Sequence, residues 1–131
     1  MREEQIASLK AAYAAFKRGE AERVRELIAD DMVLHRAEPD DATFEGPDGF
    51  FEAVADWSGQ FEDWSIEDEE FAVYPGGAVI RTRQSGRPRG GEGVIEQDFW
   101  IAHVFEGELI TRMGIYADRD TALEFVGEAA A

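Results

Sequence analysis

The sequence predicts an α+β fold in which a curved antiparallel β-sheet forms a cone packed on N-terminal helices. Three observations predict it: a helical repeat of apolar residues in the first half, a strand texture from Trp64 onward, and connections between those strands too short for crossover helices. A chain of 131 residues suits one core, burying roughly two-thirds of the surface that its unfolded form exposes. Apolar residues at 44%, including nine Phe, supply that core against 32% charged residues.

Ile6, Leu9, Tyr13 and Phe16 recur at spacings of 3, 4 and 3, which sets them on one face of a first helix, and Gly19 stops it. A second short helix turns Val24, Leu27 and Ile28 inward. Asp30 and Asp31 precede a short first strand over 32–35, and the stretch 37–46, with Pro39, Asp40 and Asp41, reads as a polar loop. Gly46-Pro47-Asp48 opens a third helix carrying Phe50, Phe51, Val54 and Trp57, since proline is tolerated where its missing N–H would be unpaired anyway. Turn signals at Pro75-Gly76-Gly77, at 86–93 and at Gly107 then divide the chain into four strands, about 64–74, 78–87, 94–105 and 109–117, whose short connections require antiparallel neighbours. Asp118 caps a last helix with Ala122, Leu123 and Val126 inside and Gly127 just past its end.

Composition excludes several kinds of function. Without cysteine there are no disulfides, thiolate metal sites or cysteine nucleophiles. A net charge of −16 repels phosphate backbones and anionic lipid headgroups, so neither nucleic acid nor membrane is an expected partner. No apolar run approaches the ~20 residues that cross a bilayer, and the opening Met1-Arg2-Glu3-Glu4 is acidic, so cytoplasmic residence is expected. Glu38, Asp40, Asp41 and Glu45 lack the order of a calcium loop, and the glycine-rich 86–93 is followed by no helix to bind phosphate; neither a metal nor a cofactor is expected. The run Glu67 to Glu70 reads as solvated edge charge.

The runs Tyr13-Ala-Ala-Phe-Lys-Arg-Gly-Glu, Leu27-Ile-Ala-Asp-Asp-Met-Val-Leu-His, Phe44-Glu-Gly-Pro-Asp-Gly-Phe-Phe and the closing Tyr116-Ala-Asp-Arg-Asp-Thr-Ala-Leu resemble the SnoaL-like branch of the nuclear transport factor 2-like superfamily. The resemblance implies a single domain over 1–131, with a nuclear transport factor 2-like or cystatin-like barrel and an internal pocket. The superfamily hosts isomerases, dehydratases, cyclases, epoxide hydrolases and non-enzymatic binders, so the resemblance implies fold rather than reaction. Along this chain the steroid-isomerase base position falls at Arg36, its Tyr at Ala12 with Tyr13 one step off, and its Asp at Ile101. All three are lost. No pair of inward carboxylates is apparent for the epoxide-hydrolase mechanism either.

Alternation places Ile95, Gln97, Phe99, Ile101, His103 and Phe105 on the inner face of the long strand, because the set with Glu96 and Asp98 is the more polar. Gln97, Phe99, Ile101 and Trp57 are therefore expected in the pocket wall, with His35 near its mouth and Trp57 and Trp64 as inward aromatic core. His103 is a candidate acid or base, or else a core histidine tied to backbone or to a Tyr hydroxyl. On the last strand apolarity favours Leu109, Thr111, Met113 and Ile115 as the inner set. The resemblance instead turns Arg112, Gly114 and Tyr116 toward the cavity, where Arg112 and Tyr116 would stabilise negative charge and Gly114 would leave room for a ligand. The other reading of Arg112 is an ion pair with Glu96 or Asp98. Two functions follow as expectations. One is a pocket for a small hydrophobic molecule with proton-transfer chemistry. The other is a non-catalytic binder or association module, a homodimer formed through exposed Trp100, Ala102 and Val104 on the convex face.

Overall fold

A computed structural model describes residues 2–37 and 40–130, leaving the side chains of 68, 69 and 128–130 outside the description. Glu38 and Pro39, part of the acidic group and of the loop named above, lie outside the described residues. Helix α1 spans Glu3–Lys17 and buries Leu9, Ala12 and Ala15 along one row. It ends where Gly19 adopts a φ of 76°, a left-handed conformation that costs glycine nothing and lets the Gly19 N–H return to the Phe16 carbonyl at 3.1 Å. Helix α2 is shorter than expected, Ala21–Arg25, because the chain becomes extended at Ile28. Strand β1 therefore runs Ile28–Arg36 and takes in Asp30 and Asp31.

The expected polar loop contains a strand, β2, Ala42–Glu45, paired antiparallel to β1 through Leu34 and Phe44. Helix α3, Gly46–Ser58, follows at once with proline in its first turn. The four remaining strands are β3 Phe61–Tyr74, β4 Gly77–Pro88, β5 Ile95–Glu106 and β6 Leu109–Tyr116, close to the expected bounds. Helix α4, Arg119–Ala130, follows β6 and includes Gly127 rather than ending before it. Asp118 accepts the Thr121 N–H at 2.9 Å, the cap that the sequence predicts.

The sheet has the order β2-β1-β6-β5-β4-β3 among the described residues, curved and unclosed. Its neighbours are antiparallel except β1 and β6, which run parallel, with Leu34 opposite Met113 and Arg36 opposite Ile115. The fold is α+β as expected, and the parallel pair is the one departure from an all-antiparallel sheet. Helices α1 to α3 cover one face, where Leu9, Met32, Leu34, Ile80, Ile101 and Met113 form the larger core. The opposite face is covered as well: α4 lays Ala122 and Val126 over Val79, Ala102 and Tyr116. Trp100, Ala102 and Val104 thus form no exposed stripe. Ala102 is 0% exposed and Val104 8%, and Trp100 packs against the same cluster.

Candidate functional site

Between the helices and the inner sheet face lies a cavity of about 100 Å³. The inner row of β5 supplies Phe99, Ile101 and His103, as alternation predicts, while α1 contributes Leu9, Ala12, Tyr13 and Phe16. The row also contains Ile95 and Gln97, but both lie exposed beyond the helical cover; with Trp57, Trp64 and Gln84 they border a small recess at the outer end. Trp57 and Phe99 meet edge to face in the wall, with ring centroids 5.6 Å apart.

His103 is 1% exposed, and its Nε2 lies 3.0 Å from the Tyr13 hydroxyl. Burial pushes the imidazole pKa down to about 4, against the backbone of Ala78 and Ile101, which favours the cation. The ring is therefore uncharged at neutral pH. Its Nδ1 is buried with no hydrogen-bond partner among the described residues, although the backbone of Ala78 and Ile101 lies close enough to act on the ring. The indole N–H of Trp64 is likewise buried without a partner among the described residues. Tyr13, one step from the position at which the resemblance seeks a tyrosine, nevertheless lines the cavity together with Ala12, because both face the gap between α1 and the sheet.

On β1 the inward residues are Met32, Leu34 and Arg36, so His35 points to the other face. There it pairs with Asp41 and meets the Tyr116 ring edge at 6.0 Å. His35 is thus not at the pocket mouth. Arg36, 3% exposed, lines the cavity instead. Its Nε and Nη2 hold the Asp40 carboxylate at 3.0 and 2.7 Å, Nη2 also donates to Asp56 at 2.8 Å, and Nη1 donates to the Ala53 carbonyl at 3.2 Å. The guanidinium in turn holds the Asp40 carboxyl below the usual carboxylate range. An Asp-Arg-Asp cluster therefore exists, but the two carboxylates are 50% and 54% exposed rather than inward.

Met113 and Ile115 line the cavity from β6, joined by Ile110 across a register irregularity. Apolarity reads Met113 and Ile115 correctly but not Leu109, which is exposed, or Thr111, whose place in the lining Ile110 takes; the orientation taken from the resemblance does not hold. Arg112, Gly114 and Tyr116 lie on the face toward α4, where Arg112 stacks 4.6 Å over Phe125 and Tyr116 packs against the same ring. Gly114 makes room for the Tyr116 ring, which a Cβ at that position would overlap. Neither Arg112 nor Tyr116 joins His103. Sequence reasoning misses Tyr13, Arg36 and Gln84 as wall residues. For Arg36 the signal was present, since it continues the Met32–Leu34 alternation.

Among the described residues, no group of three His, Asp or Glu side chains gathers as metal ligands, and no helix is long and apolar enough to cross a membrane. Residues 9–113 match the SnoaL-like domain family. The chain belongs to that family. Solved structures share its nuclear transport factor 2-like fold at low identity. TerC, co-crystallised with polyporic acid, is 19% identical, with a TM-score of 0.74 and 95% and 98% of the two chains covered. A hypothetical protein with a ketosteroid isomerase-like fold from Catenulispora acidiphila, in complex with trimethylamine, is 18% identical, with a TM-score of 0.70 and 92% of each chain covered. A candidate SnoaL-like polyketide cyclase from Jannaschia sp. is 13% identical, with a TM-score of 0.72 and 98% and 92% covered. No curated protein matches the chain.

Proposed function

We propose that this SnoaL-like domain binds a small, predominantly apolar molecule inside the cone, oriented by the Tyr13–His103 pair. The observation that carries this reading is a 3.0 Å hydrogen bond between a half-buried tyrosine and a buried, uncharged histidine in a predominantly apolar wall. A few polar groups in an apolar concavity are what small-molecule sites generally present. That structural neighbours were crystallised with small ligands supports the same reading.

A second reading, proton transfer on the bound molecule, is favoured by the neutral ring, which has a lone pair to accept a proton and a tyrosine hydroxyl beside it. A pKa of about 4 makes that base weak, so binding is the better supported of the two. The test is a panel of single-ring ketones and phenols, scored by thermal shift and by deuterium exchange at the carbon next to the carbonyl. Binding without exchange, weakened by His103→Ala, supports a binder that the pair orients. Exchange that His103→Ala abolishes establishes catalysis. If no compound shifts the melting temperature, both readings fall.

A further inference from the structure

Arg36 is the one charged side chain in the cavity wall among the described residues, and it is 4% exposed. A guanidinium has five N–H donors. Four of them are spent: two on Asp40, one on Asp56 and one on the Ala53 carbonyl, which leaves one N–H of Nη1 without a partner among the described residues. The carboxylates approach from the solvent side, as their half-exposure requires. With two of them against one cation the cluster carries a net negative charge, so it disfavours a third anion. What its remaining N–H can hold is a neutral oxygen; a cation in the cavity would face that donor rather than the carboxylates, which lie toward solvent.

Strand registers fix where this donor sits relative to the Tyr13–His103 pair. Arg36 lies opposite Ile115, and Ile115 opposite Ile101; His103 is two residues further along β5. Two strand spacings across and two residues along separate the Cα atoms of Arg36 and His103 by about 12 Å. Both side chains reach inward from those corners, which leaves a gap suited to a single ring.

We infer that Arg36 is a second specificity residue of the cavity, and that the ligand class is a compact, uncharged ring compound with oxygens on opposite edges, one a carbonyl-type acceptor held by Arg36. This inference rests on the binding reading above and adds the identity of the second anchor. A matched set of probes tests it: 4-hydroxyacetophenone, 4-isopropylphenol, which lacks the carbonyl, and acetophenone, which lacks the hydroxyl. Affinities are measured calorimetrically for the wild type, Arg36→Met and Tyr13→Phe. Loss of the carbonyl is expected to weaken binding about tenfold in the wild type and in Tyr13→Phe but not in Arg36→Met. The cost of losing the hydroxyl is expected to persist in Arg36→Met. An equal carbonyl effect in Arg36→Met, or none in the wild type, overturns the inference while leaving the pocket intact. If none of the probes binds the wild type, the pocket reading itself fails. Should Arg36→Met not fold, the carbonyl stretch of bound 4-hydroxyacetophenone decides. A frequency below that in water, retained in Tyr13→Phe, supports Arg36 as the donor, and a frequency at or above the water value overturns it.

Discussion

His103 is neutral in the folded chain because burial outweighs the pull of nearby backbone, and this ties stability to pH. The unfolded ring titrates near its ordinary 6.5 and the folded ring near about 4, so between these values the unfolded state binds more protons. The contribution is complete above pH 6.5 and is lost as pH falls toward 4, by up to roughly 3 kcal/mol. Urea midpoints for the wild type and His103→Gln from pH 7 to 4 should converge with acid, because the variant lacks this dependence; parallel curves would contradict the assignment. Tyr13→Phe leaves Nε2 of His103 buried without its partner and is expected to cost about 1–2 kcal/mol in the same assay. Arg36→Met loosens the tie between β1 and α3 through the Ala53 carbonyl and should also destabilise, by about 1–3 kcal/mol.

At the scale of elements, α4 decides which strand faces are free. Its cap holds the Asp118 carboxyl below the usual range through the Thr121 N–H and hydroxyl. Asp118→Ala is expected to lower the melting temperature and increase binding of a hydrophobic dye, as Ala102 and Val104 lose their cover; unchanged dye binding would show that the cap is dispensable. Gly114→Ala drives a methyl into the Tyr116 ring and should cost about 1–3 kcal/mol, measured by urea unfolding.

The same elements show what alternation can and cannot tell. Period two sorted Phe99, Ile101 and His103 correctly because the helices cover that part of β5, and it misplaced Ile95 and Gln97 because the cover stops short of them. It also took Ala102 and Val104 for surface. Both faces of β5 are apolar there, the mark of a strand covered on two sides, and that signal was legible. The parallel β1–β6 pair rests on long-range pairing that no local pattern encodes, whereas the strand within 37–46 is half of a local hairpin with β1 that Asp40 and Asp41 disguise as a polar loop.

For the whole molecule, a charge of −16 on 131 residues means that folding brings like charges together. The melting temperature should therefore rise between low salt and ~0.5 M NaCl, as screening shortens the Debye length to a few Å; a fall would mean that the ion pairs of Arg36, Arg83 and Arg87 outweigh the repulsion. Beneath that charged surface are two apolar layers, and a cavity lined mainly by apolar side chains lies in the one between helices and sheet. Xenon enters dry apolar cavities without regard to ligand chemistry. Methyl NMR under xenon pressure is therefore the most direct test: shifts are expected at Leu34, Ile101, Ile110 and Met113 and not at Val79 or Val126, whereas unmoved cavity methyls, or shifts confined to the α4 layer, would contradict a hollow cone.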